Sequence, residues 1–146
     1  MKSYSSELIN KAVIPAAGLG TRMGAMTRAV PKELLPLVDR PALDWIIEEC
    51  IDAGTLDIAI ITSEYKKPLF ERHLDGKFQE CSFTFMIQGS MNGLGGAVLC
   101  AEDWAGDDCF AILLPDDLVL GENSTSLLKK NNITNRFINN CNNGYS

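Results

Sequence analysis

The sequence predicts an α/β fold, a mainly parallel sheet flanked by helices, and three observations point to it. Short apolar runs rich in branched residues recur along the chain: Lys11–Ala17 (KAVIPAA), Asp57–Thr62 (DIAIIT), Ser82–Gln88 (SFTFMIQ) and Cys109–Leu114 (CFAILL). Segments of helical period separate them, and such alternation favours parallel strands joined by right-handed crossovers. Finally, the stretch Ala16–Leu37 packs three glycines with Pro31, Pro36, Arg22, Arg28 and Lys32 directly after the first run. That is the strand end at which open α/β sheets receive ligands.

Each element has its own warrant. Lys11–Ala17 is too short for a helix and is bounded by glycine, which suits a buried strand. Pro41 opens a helix with Leu43, Ile46, Ile47, Cys50 and Ala53 on one face and Asp44, Glu48, Glu49 and Asp52 largely off it, closed by Gly54. Asp57–Thr62 is a second buried strand, and a short helix starts near Pro68 within Lys66–Leu74. Phe83, Phe85 and Ile87 alternate with smaller residues, the pattern of a strand near a sheet edge. Glycines then give way to Ala97–Ala101, so a loop feeds a helix. Cys109–Leu114 is the last strong strand and delivers Pro115, Asp116 and Asp117 to its C-terminal end. From Gly121 the apolar residues thin out and asparagines recur without period. The division expected is a nucleotide-binding part over 1–120 and an Asn-rich, disordered or truncated tail over 121–146.

Composition bounds the function. A chain of 146 residues with 46% hydrophobic content supports one modest core and one domain. A net charge of -6 argues against nucleic-acid binding, which needs clustered cations. Five cysteines, an odd number with no CxxC pair, read as reduced thiols, mostly in core, of a cytoplasmic protein, and no thiol spacing supports a metal. No apolar run approaches the roughly 20 residues that cross a bilayer, and no signal-peptide h-region is expected.

The glycine loop does not fit the commoner phosphate loops. A dinucleotide fingerprint needs glycine or alanine where Met23 stands, and a Walker A loop needs a glycine followed by lysine that this stretch lacks. A plain strand-to-helix turn is the alternative. Two cations, Arg22 and Lys32, beside one glycine loop favour anion binding, because small residues admit close backbone approach and fixed cations neutralise phosphate. Pro31 and Pro36 restrict the backbone around Lys32. His73 reads as an exposed histidine on a short helix, and Trp45 and Trp104 as core.

With these residues in view, GLGTRMxxxTRAVPKELLPLVDRPALDWIIEEC, QGSMNGLGGAVLCA and ILLPDDL resemble the sugar-1-phosphate nucleotidyltransferases, most closely the bacterial-type UTP:glucose-1-phosphate uridylyltransferases. The resemblance runs over about residues 11 to 120. It implies a Rossmann-like sheet of the nucleotidyltransferase type, incomplete at the C-terminal side. It also implies a nucleotide loop at Ala16, Ala17, Gly18, Gly20 and Thr21, activating cations at Arg22 and Lys32, a base-reading Gln88, Gly93 packed against the base, and Asp116 holding Mg²⁺. Asp117 falls on a variable position.

The reaction implied joins UTP and glucose 1-phosphate into UDP-glucose and pyrophosphate, with no protein nucleophile and no membrane partner, in a homo-oligomer. The family's remaining half carries most of the sugar-phosphate pocket and a second metal-binding aspartate, so the chain resembles an N-terminal fragment whose activity alone is a separate matter. The alternatives are a catalytically dead nucleotide-binding or assembly module and a related thymidylyl- or cytidylyltransferase.

Overall fold

The structure is a computed structural model and describes residues 9–20, 24, 26–89 and 93–116. In chain order the elements are β1 (Lys11–Pro15), α1 (Met26–Ala29), a 3₁₀ turn (Lys32–Leu34), β2 (Pro36–Leu37), β3 (Arg40–Pro41), α2 (Ala42–Ala53), β4 (Asp57–Thr62), α3 (Lys67–Leu74), β5 (Ser82–Ile87), α4 (Gly93–Leu99), α5 (Glu102–Ala105) and β6 (Phe110–Ile112). The main sheet has the order β5-β4-β1-β6, and every pairing in it is parallel. The expected edge strand, Ser82–Gln88, is β5 at one margin.

Side-chain alternation explains why both faces are covered. Ala12, Ile14, Ile58, Ile60 and Ala111 point to one side, where Leu43, Ile46, Ile47 and Cys50 of α2 and Phe70 and Leu74 of α3 pack. Val13, Ala59, Ile61 and Phe110 point to the other, against Ala97, Ala101 and Ala105 of α4, α5 and their junction. Helix α2 begins after Pro41 and ends at Gly54, whose φ of 78° is the left-handed conformation that glycine adopts without a Cβ penalty. Its N–H and that of Thr55 close the last turn on Ile51 and Cys50 carbonyls, both at 2.9 Å.

Several expectations need correction. The first and last strands are shorter than predicted, ending at Pro15 and Ile112, with single hydrogen bonds from Ala16 to Ile61 and from Leu113 to Val13 carrying the pairing one residue further. Asp44 is buried, not on a solvent face: its Oδ1 lies 2.5 Å from Nε2 of His73 on α3 and its Oδ2 3.3 Å from Lys77 Nζ. His73 is accordingly largely covered rather than exposed. The tryptophans are half-buried cation partners: Trp45 stacks under Arg40 and Trp104 under Lys11, at 4.4 and 5.2 Å. Among the described cysteines only Cys50 is buried, and Cys109 is exposed. The tail reading over 121–146 lies outside the described residues.

Candidate functional site

The strand order fixes where a site can form. Chain connection runs from β1 to β4 to β5 on one side, then jumps back across β1 to β6. The crevice between the C-terminal ends of β1 and β6 is therefore a topological switch point, where open α/β sheets bind ligands. β1 delivers the glycine loop there, and β6 delivers Pro115 and Asp116. Leu113 N–H donates to Val13 carbonyl oxygen at 3.0 Å, keeping the two strands paired up to the point where they diverge.

The loop is anchored from inside. Ala16 N–H donates to Ile61 carbonyl oxygen at 2.7 Å, and Ala16 and Ala17 are buried. Gly18 is outside the left-handed region, and among the described residues nothing lies within 4 Å of where a Cβ would stand. Gly20 differs, with φ of 64°.

Lys32 begins the 3₁₀ turn after Pro31, and its Nζ lies 3.5 Å from Asp116 Oδ2, across 84 positions of sequence. A cavity of about 360 Å³ opens beside the pair, walled by Leu35, Pro36, Ala42 and Pro115. Apolar walls lower the local dielectric, so charges at the rim act more strongly on a bound anion. Gln88 continues the line of β5, with its N–H on Thr62 carbonyl oxygen at 2.8 Å, and its Nε2 donates to Gly93 carbonyl oxygen at 3.1 Å. These two residues form one unit at the same sheet edge, two strands from the glycine loop, or roughly 10 Å at the usual strand spacing.

Of the sequence-predicted residues, the structure therefore brings Lys32 to Asp116 and Gln88 to Gly93, and sets Ala16, Ala17, Gly18 and Gly20 at the end of β1. Thr21 and Arg22 lie outside the described residues, as does Asp117. Sequence reading missed Lys66 and Glu33. Lys66 Nζ donates to the carbonyl oxygens of Ala16 at 3.0 Å and Gly18 at 2.5 Å, and to Glu33 at 3.1 and 3.2 Å. Both side chains are almost fully buried. Only their tertiary placement distinguishes them from solvated charges, although Glu33 did adjoin Lys32 in the singled-out stretch.

Asp116 has an exposed carboxylate, and among the described residues no cluster of three or more His, Cys, Asp or Glu side chains could hold a metal. An exposed carboxylate offers one hard oxygen donor, the ligand type that Mg²⁺ takes. Among the described residues no helix is long and apolar enough to cross a membrane.

The architecture places the chain among doubly wound α/β proteins with a ligand crevice at the switch point. More particularly, a nucleotidyl transferase family model matches residues 11–139, and the chain belongs to that family. It is 41% identical over 135 residues to a UTP--glucose-1-phosphate uridylyltransferase of Bacillus subtilis (strain 168), covering 78% of this chain and 46% of that protein. The corresponding enzyme of Escherichia coli (strain K12) is 38% identical over 146 residues, covering 84% of this chain and 48% of that protein. A crystal structure of UDP-glucose pyrophosphorylase complexed with UDP-glucose superposes with a TM-score of 0.71 at 36% identity, covering 84% of this chain and 51% of the other. The chain thus spans about half the length of the relatives it matches.

Proposed function

We propose that this chain forms the nucleotide-binding part of a UTP:glucose-1-phosphate uridylyltransferase, acting with Mg²⁺. The observation that carries the reading is the meeting of Lys32 and Asp116 at 3.5 Å beside the glycine loop, at the switch point of the sheet. The family membership and the names of the relatives support the same substrates.

In the reaction, a phosphate oxygen of glucose 1-phosphate bonds to the α-phosphorus of UTP as the bond to the β-phosphate oxygen breaks, and pyrophosphate leaves. Two anions must meet, so positioning and charge neutralisation supply most of the catalysis. Ala16–Thr21 cradle the nucleotide through backbone N–H groups beyond that of Ala16, which is already on the Ile61 carbonyl. Gln88 reads the base edge, held in orientation by Gly93. Lys32 and Arg22 neutralise the transferring and leaving phosphates, and no side chain acts as nucleophile. Asp116 would hold Mg²⁺, which, when bound, draws charge from the phosphate oxygens.

The test is pyrophosphate release with UTP, glucose 1-phosphate and Mg²⁺, beside calorimetry with UTP. Heat of binding with UTP is the expected result for this chain, and UDP-glucose formation for a version that also carries the rest of the relatives' length. Absence of both, or preference for dTTP or CTP over UTP, would sink the reading.

A further inference from the structure

We propose that Lys66 is the positioning residue of the glycine loop, held for that task by Glu33; the proposal rests on the nucleotide-binding reading above. A lysine ammonium has three N–H donors. Here three acceptor groups take them: the Ala16 carbonyl, the Gly18 carbonyl and the Glu33 carboxylate. No donor is left for a substrate, so Lys66 acts through the loop rather than on the ligand.

Peptide geometry gives the consequence. The Ala16 carbonyl shares a peptide plane with Ala17 N–H, and the Gly18 carbonyl with Leu19 N–H. No peptide bond among the described residues is cis, and in a trans peptide the C=O and N–H point opposite ways. Drawing both carbonyls inward to Lys66 therefore turns the N–H groups of Ala17 and Leu19 away from the core. Neither N–H finds an acceptor among the described residues. Two N–H groups turned outward from alternate residues suit the oxygens of a polyphosphate. Because Glu33 belongs to the same 3₁₀ turn as Lys32, one buried ion pair sets the backbone cradle and the neighbouring cation in fixed relation.

A buried pair that served stability alone could be exchanged for apolar side chains of similar size without loss. The test uses that exchange. The whole 146-residue chain is prepared as wild type, as Lys66→Met and as the double variant Glu33→Leu/Lys66→Met, and each is followed by ¹⁵N relaxation and by UTP titration. In the wild type the amides of Gly18 and Leu19 should have order parameters of about 0.85, falling below about 0.6 in the variants, with Val13 and Ile60 unchanged. UTP affinity should weaken about tenfold or more, the size of a lost charge-assisted hydrogen bond.

If Lys66→Met does not fold, the double variant carries the test, since it leaves no unpaired buried charge. A folded double variant that keeps a rigid loop, or that binds UTP as tightly as wild type, overturns the proposal. If the wild type itself binds no UTP, the nucleotide reading falls, and the order parameters alone decide whether Lys66 positions the loop.

Discussion

Replacing Lys32 with alanine separates what the crevice does for the fold from what it does for a ligand. Its partner of opposite charge among the described residues, Asp116, has a side chain 68% exposed, and the Lys32 side chain is itself 27% exposed at a separation of 3.5 Å. A pair so open to water contributes about 0–1 kcal/mol net. For a chain of this size about 1 kcal/mol moves the melting temperature by roughly 2–4 °C, so Lys32→Ala should melt no more than about 4 °C lower. The ligand effect should be larger. A hydrogen bond from a charged donor contributes about 1.5–3 kcal/mol, or roughly 10- to 150-fold. That loss should fall mainly on turnover if the proposed role holds, because the cation would then meet its greatest charge as pyrophosphate departs. Thermal melting and UTP calorimetry on this chain, and pyrophosphate release by a full-length version with the same substitution, measure the three quantities. A drop beyond about 8 °C, or equal losses in UTP affinity and turnover, would refute the reasoning.

Other substitutions probe the scaffold. Phe70 is fully buried between α3 and the sheet, so Phe70→Ala should cost about 3–5 kcal/mol in urea unfolding, and a cost under about 1 kcal/mol would contradict the packing described. Val38, the turn residue between β2 and β3, has φ of 66°, which strains a β-branched side chain that is 93% exposed. Val38→Gly should therefore stabilise by about 0.5–1 kcal/mol, the strain relieved exceeding the added chain entropy, and a lower melting temperature would count against this. Burial pushes the Cys81 thiol up from 9.0 to about 11, the Glu80 carboxylate adding to it. Because the neutral form is favoured in the folded state, the corresponding stability is complete below pH 9.0 and is lost as pH rises through about 11. Thiol labelling mapped by mass at pH 8 should accordingly modify exposed Cys109 before Cys81, with Cys50 protected until unfolding.

The fold was legible where burial follows a local period. Asp57–Thr62 reads as a strand because alternate residues face two covered layers, and α2 is framed by Pro41 and Gly54, whose conformational roles are local. The two-residue strands β2 and β3 have no period to read, and their turn uses a valine where glycine is the usual signal. Candidate site residues were legible where chemistry is written in adjacent positions, as in Gly18, Gly20 and Lys32. Glu33 and Lys66 were not, because their burial arises only when separate segments close over them: Lys66 meets the Gly18 carbonyl from 48 positions away. A charged residue at a helix start reads as solvated until its partners are in place.

The most direct measurement is an amide chemical-shift map of this chain titrated with UTP in the presence of Mg²⁺. The expected result is a set of shifts concentrated at Ala16–Gly20, Lys32, Gln88–Gly93 and Asp116, around the switch point, with the Asp44–His73 cluster silent. Shifts centred on that cluster, or none in the glycine loop at saturating UTP, would contradict a nucleotide site between β1 and β6.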